Sequence, residues 1–441
     1  MKKIIASILL CMFVLVLGAA EPKYIFLFIG DGMAMPQRMI SEDFSRKIGR
    51  GELQMNHFPF HATTRTGSAN ALITDSAAAA TAIACGEKTN NSMVGVDPAG
   101  KRLQSVAEVA RGKGKKVGII TSVNLNHATP AGFYAHRKNR GEYYNIALDL
   151  ITSGFDFFGG GGILKYNEKG RENIYSLAEK AGYKIAIGKE EISSLVPGGK
   201  VIALAGSKSW NMPYSIDAGE NEIRLAGIVE KAITMLDNPG GFFIMVEGGA
   251  IDWAGHANEA AANLRDVLAL DDAVKVALEF YKKHPEDTLI VVTGDHETGA
   301  MTMGFAGSGY NMNLAVVAGQ KCSIGTFAQH FSKAKELKKD FSFEDAKKII
   351  TEKFGLKFDA DPKSDPMAVT PQELEQIKKA FAEQKMPGTM QLIVNRKSGI
   401  GWNSGNHTAL PVLTTSIGCG AENFVGLIEN TDISRKLKNL L

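Results

Sequence analysis

Cysteine is scarce in this sequence, with four residues among 441. Cys11 lies in the apolar stretch near the N-terminus, and the rest of the chain contains only Cys85, Cys322 and Cys419. These three allow at most one intramolecular disulfide, which excludes a small scaffold held together by disulfides. We expect three separate buried thiols.

A strong charge of one sign is also missing. The 50 basic and 47 acidic side chains leave a formal net charge of +3, which falls to +1 without Lys2 and Lys3. Proteins whose main partner is nucleic acid or an anionic surface usually carry a basic excess. We therefore expect no nucleic acid as the main partner of this chain.

Long hydrophobic runs are absent beyond the N-terminus, so we expect no membrane span. The chain starts with a short basic segment at residues 1–3, continues with an apolar run at residues 4–17, and then has three small residues. This order is typical of a cleaved secretory signal peptide over residues 1–20, too short and wrongly flanked for a membrane anchor. We expect a mature chain that begins near Glu21 and is periplasmic or secreted.

The rest of the chain alternates between strand and helix patterns. Short apolar runs of strand length occur at residues 24–29, 116–121, 155–158, 183–187, 241–246 and 288–293. Helical patterns lie between them, at residues 103–111, 143–151, 174–181, 222–236 and 256–284. This alternation predicts an α/β protein, a three-layer α/β/α sandwich with a large, mainly parallel central sheet.

The pattern changes between residues 320 and 385, where lysines cluster and helical periodicity dominates. Thr370 and Glu373 form a capping box with a proline at the first helical position. We interpret this region as a helical insertion, which could be a small cap, a dimer-contact element or a solvated excursion without function. After it, residues 390–395 and 414–417 are predicted to return to the sheet.

Acidic and histidine side chains directly follow several predicted strands. Asp31, Glu247 and the pair Asp295-His296 each stand at the end of an apolar run. In open parallel sheets, ligands bind beyond the carboxyl ends of the strands. These side chains are therefore predicted to share one site.

The stretch Thr74-Asp75-Ser76 precedes a run of alanines and predicts a helix start that is capped by a side-chain oxygen. Ser76 would lie in the first turn, where free backbone N–H groups and the helix dipole favour an anion. Its hydroxyl is well placed to attack a phosphorus atom, provided that metal ions lower its pKa. On this stretch alone, a purely structural Ser76 is the alternative, because capped alanine helices are common.

Other side chains have the spacing or the chemistry of metal ligands. Asp252 and His256 lie four residues apart and can meet on one side of a helical turn, where they suit zinc together with a third ligand. His407 lies in a loop that Gly405 loosens. Thr129 and Glu247 offer a hydroxyl and a carboxylate, which suit a hard ion such as magnesium.

Arg140 is a candidate for binding phosphate. Its planar guanidinium can hold two oxygens of one phosphate group at once. A surface ion pair is the alternative interpretation of this arginine.

Taken together, these motifs resemble the alkaline phosphatase family, within the wider superfamily that includes the sulfatases. They occur in the order of that family and extend over nearly all of the predicted mature chain. The motifs are Gly30-Asp31-Gly32-Met33, Asp75-Ser76-Ala77, Val246-Glu247-Gly248 with Ile251-Asp252, Thr293-Gly294-Asp295-His296 and Gly405-Asn406-His407-Thr408.

The resemblance implies two zinc ions, one magnesium ion and a homodimer, with residues 21–441 as the catalytic domain. It implies an exported, metal-dependent enzyme that hydrolyses a broad range of phosphate monoesters through a phosphoserine at Ser76. Arg140 would hold the phosphate oxygens that are not transferred. The implied ligands are Asp252, His256 and His407 for the first zinc, Asp31, Asp295, His296 and the Ser76 oxygen for the second, and Asp31, Thr129 and Glu247 for magnesium.

Two residues depart from one well-known bacterial form of the pattern, which has aspartate and lysine at these positions. His127 is similar to the form seen in animal and some marine bacterial enzymes, and it would tune the magnesium site through water or instead let zinc enter it. Trp253 supplies no cationic contact, so phosphate would be held less tightly and product would leave faster.

Three other functions are weighed against this one. A phosphodiesterase or nucleotide pyrophosphatase shares the zinc ligands but generally lacks the magnesium acid and the phosphate arginine. A sulfatase would show a cysteine or serine with proline two residues later and then arginine, whereas Ser76 is followed by Ala77, Ala78 and Ala79. A non-catalytic phosphate- or metal-binding protein would be expected to lose Ser76 or a zinc ligand.

Overall fold

The structure, a computed structural model, describes residues 21–441. The predicted signal peptide over residues 1–20 lies outside them. Within the described range, the strands in chain order are β1 (Tyr24–Gly30), β2 (Phe60–Arg65), β3 (Lys116–Thr121), β4 (Phe157–Gly160), β5 (Tyr183–Ile187), β6 (Lys200–Leu204), β7 (Phe242–Gly248), β8 (Thr288–Gly294), β9 (Glu297–Thr298), β10 (Thr302–Met303), β11 (Ile400–Gly401), β12 (His407–Thr408), β13 (Val412–Gly418) and β14 (Gly426–Glu429).

The helices surround these strands, and in the described residues none has both the length and the apolar character needed to cross a membrane. In chain order they are α1 (Met35–Lys47), α2 (Ser76–Cys85), α3 (Val106–Gly112), α4 (Ala128–Ala131), α5 (Tyr143–Ser153), α6 (Ile174–Lys180), α7 (Gly188–Ser193), α8 (Leu225–Leu236), α9 (Ala250–His256), α10 (Ala260–Tyr281), α11 (Leu314–Gly319), α12 (Ile324–Leu337), α13 (Phe343–Phe354), α14 (Pro371–Ala382), α15 (Met386–Ser398) and α16 (Asn430–Leu440).

The central sheet contains ten strands in the order β14-β2-β13-β8-β1-β7-β3-β4-β6-β5. All neighbouring strands run parallel except β13, which is antiparallel to both β8 and β2. The prediction of a large, mainly parallel sheet is therefore confirmed. The fold has the expected three layers, because helices cover both faces of this sheet.

Strand β1 shows how the two faces are covered. Ile25, Leu27 and Ile29 pack into one buried apolar cluster, and Phe26 and Phe28 pack into the other. Successive side chains of a strand point to opposite faces, so a continuous apolar run is required where helices lie on both sides. This requirement explains why the central strands are apolar throughout.

The helical insertion has an apolar core of its own, and it extends beyond the predicted end at residue 385. The prediction of a strand at residues 390–395 is wrong, because these residues belong to α15. Met390, Ile393 and Val394 recur at helical spacing and pack into the insertion's core. Short apolar runs fit a strand or a buried helix equally well, and here the tertiary contacts decide for the helix.

The single helix predicted for residues 256–284 is in fact two helices, α9 and α10. Asn258 breaks the run with a φ of 54°, in the left-handed region that asparagine tolerates better than most residues. The break leaves His256 as the last residue of α9.

The thiols are only partly as predicted. Cys85 and Cys322 are buried and free, whereas Cys419 is half-buried. The fold of the described residues is thus held by its apolar clusters.

Candidate metal centre and nucleophile

The start of α2 has the predicted cap. The Asp75 carboxylate accepts a hydrogen bond from the backbone N–H of Ala78 at 3.0 Å, and Ser76 is the first helical residue. The other Asp75 oxygen accepts from Arg140 Nη1 at 3.1 Å and from the Ser92 backbone N–H at 3.0 Å. Ser76 is 1% exposed, so its hydroxyl lies inside the molecule rather than on its surface.

The Ser76 hydroxyl faces a group formed by Asp31, Asp295 and His296. Its Oγ lies 3.2 Å from His296 Nε2, which in turn lies 3.3 Å from Asp31 Oδ1 and 3.4 Å from Asp295 Oδ2. One ligand atom from each residue of the group lies within 4.8 Å of the others. The parallel register explains the meeting, since Gly30 of β1 pairs with Gly294 of β8, and Asp31 and Asp295 follow directly.

Two oxygens of this group are aimed into it without a partner. Asp295 Oδ1 accepts from the backbone N–H groups of Gly32, at 3.1 Å, and His296, at 2.9 Å. Asp295 Oδ2 and Asp31 Oδ1 have no hydrogen-bond partner in the described residues, although both side chains are fully buried. A buried carboxylate oxygen without a donor is costly, and a cation between the two oxygens removes that cost.

A second group contains Asp252, His256 and His407, which join α9 to β12. His256 Nε2 lies 3.1 Å from His407 Nε2, and the two rings lie 3.4 Å and 3.5 Å from the Asp252 carboxylate. His256 Nδ1 bonds to the Gly405 carbonyl at 2.7 Å, and His407 Nδ1 to the Thr74 carbonyl at 2.9 Å. Carbonyls only accept, so each Nδ1 carries a proton, and the two Nε2 atoms that face one another are the atoms that a cation would bind.

A third group shares Asp31 with the first and adds Glu247 and His127. Thr129 Oγ1 lies 3.4 Å from Asp31 Oδ2, and the Thr121 hydroxyl donates a short hydrogen bond to one Glu247 oxygen. The other Glu247 oxygen and His127 Nδ1 have no hydrogen-bond partner within residues 21–441. The group thus combines carboxylate and hydroxyl oxygens with one nearby ring nitrogen.

The electrostatics of the two groups that contain Asp31 favour bound cations. Burial, and then repulsion from Asp295, raises the pKa of Asp31 well above its usual range. Burial likewise raises the pKa of Asp295 and of Glu247. In the described chain, the ion-pair partner of both Asp31 and Asp295 within 4.0 Å is His296 rather than a lysine or arginine. Divalent cations would supply the missing positive charge and keep these carboxylates ionised.

A fourth cluster shows the opposite situation. Glu42, Glu52 and His57 also gather at the surface, but Arg46 donates to the glutamates at 2.6 Å and 3.0 Å. That cluster already contains its own positive charge, so the unpartnered buried oxygens are a property of the two groups that contain Asp31.

Arg140, His127 and Trp253 line the same region. Arg140 Nη2 lies 3.4 Å from His127 Nε2, and the ring of Trp253 meets that of His127 edge to face with centroids 5.9 Å apart. Burial, and then the Arg140 charge, lowers the pKa of His127 to about 4, so the ring is neutral near pH 7. Through its other contact Arg140 is tied to Asp75, the residue before Ser76, rather than to a surface acid.

The sequence analysis missed three contributors to this region. Asp75 was expected only as a cap, but it also holds Arg140. Thr121 supports Glu247, and Thr298 donates to Asp252 at 2.5 Å. Thr121 ends a predicted strand, and Thr298 lies two residues after His296. Their positions close to predicted strand ends and motifs in the sequence were the signal that could have placed them in the site.

Comparisons with known proteins agree with this geometry. The family model described as Alkaline phosphatase matches residues 22–155 and 166–441. Alkaline phosphatase 4 of Bacillus subtilis (strain 168) is 32% identical over 428 residues, which cover 94% of this chain and 87% of that protein.

Solved structures give the same result. A cold-active alkaline phosphatase from the psychrophile Shewanella sp. is 27% identical with a TM-score of 0.82, and the match covers 95% of this chain and 99% of that one. A histidine-to-glutamate variant of TAB5 alkaline phosphatase, with Mg bound in its M3 site, is 26% identical with a TM-score of 0.70, over 96% and 98% of the two chains. The chain belongs to the alkaline phosphatase family.

Proposed function

We propose that this alkaline phosphatase is an exported, metal-dependent enzyme that hydrolyses a broad range of phosphate monoesters through a phosphoserine at Ser76. The observation that carries the proposal is the position of Ser76. Its buried hydroxyl lies at a helix N-terminus, 3.2 Å from His296 of a group in which two carboxylate oxygens lack donors. That combination suits a nucleophile that needs no neighbouring general base.

The three groups would hold three cations. Zinc suits the group with His256 and His407 and also the group with His296, because each combines histidine nitrogen with carboxylate oxygen. The oxygen-rich group around Glu247 and Thr129 suits magnesium, and the His127 ring would either tune it through water or admit zinc. When bound, the cations would lower the pKa of the Ser76 hydroxyl and of water and neutralise phosphate charge.

The chain's own residues would perform the other tasks. Ser76 Oγ would attack the phosphorus and release the alcohol, leaving phosphate esterified to the serine until water hydrolyses it. The free N–H groups at the start of α2 and the guanidinium of Arg140 would hold the phosphate oxygens that are not transferred. Asp75 would keep that guanidinium aimed beside Ser76, because it accepts from Nη1 at 3.1 Å.

Activity on an aryl phosphate and a bis-aryl phosphate, each with and without a chelator, tests this proposal. We expect the monoester to be hydrolysed at least ~10²-fold faster than the diester, because a site built to bind several free phosphate oxygens rejects an esterified one. The chelator is expected to abolish both activities, and added zinc and magnesium to restore them. Comparable rates on the two esters would favour a phosphodiesterase instead.

Arg140→Ala is the matched variant for that assay. Losing charged hydrogen bonds to phosphate is expected to lower kcat/KM for the monoester ~10–100-fold, with a smaller effect on the diester. Arg137→Ala serves as a control, because Arg137 lies on the same segment but pairs with Asp149. An equal loss for both esters would argue against this role of Arg140.

Trp253 is expected to set the affinity for product phosphate. Trp253→Lys would bring an ammonium group near His127 and Arg140, so it is expected to tighten competitive inhibition by phosphate and to slow turnover. The inhibition constant of inorganic phosphate for the wild type and the variant measures this. An unchanged constant would show that Trp253 does not govern phosphate release.

Export and a homodimer complete the proposal. Leu72 is 86% exposed and Leu427 is 70% exposed, and both line one surface depression next to β2 and β14. Apolar side chains gathered in this way are typical of an interface. Sedimentation of the purified protein tests the dimer, and we expect the mass of two chains.

N-terminal sequencing of the exported protein tests the export, and we expect the sequence to start near Glu21.

A further inference from the structure

Thr298 lies between two of the candidate cation groups. It is fully buried, and its backbone pairs with His407 where β9 meets β12. Its hydroxyl donates to Asp252 Oδ1 at 2.5 Å and lies 3.3 Å from His296 Nδ1. One side chain thus touches a residue of the His256–His407 group and a residue of the group that faces Ser76.

The hydroxyl can make these two contacts in only one way. A threonine hydroxyl has a single proton, and an ionised carboxylate can only accept. If the proton is donated to Asp252, the Thr298 oxygen must accept from His296, so His296 carries its own proton on Nδ1. The Nε2 atom of His296 then presents a lone pair towards Asp31, Asp295 and the Ser76 hydroxyl.

The backbone approaches the Thr298 side chain closely on two sides. A Cβ at Gly32 would lie 2.8 Å from the Thr298 hydroxyl oxygen, and a Cβ at Gly255 would lie 3.0 Å from its methyl carbon. Gly32 follows Asp31 and Gly255 precedes His256 in the sequence. The two glycines therefore let Thr298 pack tightly between segments that carry metal ligands.

We infer that Thr298 is a positioning residue that prepares both zinc groups at once, because its single hydroxyl orients the Asp252 carboxylate and fixes the tautomer of His296. The inference rests on the proposed binding of zinc by these groups. Partners behind metal ligands typically change metal affinity ~10–100-fold when they are removed. A loss of zinc affinity of the same size is expected in both groups, because the same Thr298 hydroxyl contacts a residue of each.

Zinc release from the loaded protein tests this inference. Thr298→Val keeps the shape but removes the hydroxyl, and it is expected to release both zinc equivalents to a chromophoric chelator ~10–100-fold faster than the wild type. Thr298→Ser retains the hydroxyl and is expected to release zinc at a rate close to that of the wild type. Thr302→Val, an exposed threonine four residues away, is the control and is expected to change nothing.

Two results would overturn the inference: unchanged release from Thr298→Val, or release from Thr298→Ser that is as fast as from the valine variant. Thr298→Ala removes the hydroxyl without adding the second methyl group of valine, and its zinc release is expected to be as fast as that of Thr298→Val. Melting temperatures of the metal-free proteins show whether faster zinc release comes from a general loss of stability. Such a loss would lower the melting temperatures of the variants. Because zinc release needs no turnover, a protein that binds zinc but fails to hydrolyse monoesters contradicts the proposed function and leaves this test readable.

Discussion

Replacing Ser76 with alanine is expected to lower kcat for phosphate monoesters by at least ~10³-fold, because the attacking atom is removed. Alanine is a good helix former, so α2 is expected to persist with Asp75 as its cap. The variant should also retain its cations, since their other ligands stay in place. Steady-state kinetics and metal analysis on the same preparation measure both effects.

The control for this prediction is Ser364→Ala, an exposed serine of the insertion, whose activity is expected to equal that of the wild type. Acid-quenched turnover of labelled substrate adds a direct readout. Label is expected on a peptide that contains Ser76 in the wild type and not in the alanine variant. Monoester activity that survives Ser76→Ala undiminished would disprove the phosphoserine mechanism.

Replacing Asp31 with asparagine is expected to have a comparable effect for a different reason. Asp31 belongs to both the group with Asp295 and His296 and the group with Glu247. Losing its charge would weaken two cation sites at once, and cations that stabilise charge by several kcal/mol account for ~10³-fold or more in rate. Metal content after gel filtration is expected to fall by two equivalents per chain, with a matching loss of kcat.

Two further variants sharpen this test. Asp252→Asn removes a ligand from one group only and is expected to cost one equivalent. His127→Asp replaces a ring nitrogen with a carboxylate oxygen beside Glu247, and it is expected to favour magnesium over zinc in that group. An Asp31→Asn protein that retains all its metal, or a His127→Asp protein with unchanged metal selectivity, would contradict the assignment of these ligands.

The layout of the sheet was predictable because apolar runs covered on both faces have a clear pattern. The runs that include Phe26, Val117 and Val291 all became central strands of the sheet. The pattern was weakest where a short apolar run could suit either element, as at residues 390–395, and where one helix could hide a break, as at Asn258. At residues 390–395 packing into the insertion's core decided for the helix, and at Asn258 the left-handed backbone ended α9 before α10 begins.

The site was partly predictable for a related reason. Parallel strands end at one edge of a sheet, so Asp31 and Asp295 could be placed together before any contact was known. Arg140 could not be assigned in this way, because its partner Asp75 lies 65 residues away and stands out in the sequence only as a helix cap. Thr298 could not be predicted for the same reason, since its hydroxyl contacts Asp252 and His296 only where α9, β9 and β12 meet.

The sequence by itself determined the alternation of strands and helices, the capped helix that begins at Ser76, and the family resemblance of the motifs around it. Only the tertiary structure decided that Asp31 and Asp295 lie close together, each with one oxygen that has no donor, and that His256 and His407 bring their Nε2 atoms to within 3.1 Å of one another. The physical reason is that periodicity and capping depend on neighbours along the chain. An unpartnered oxygen or a fixed tautomer depends on atoms that folding brings from distant segments.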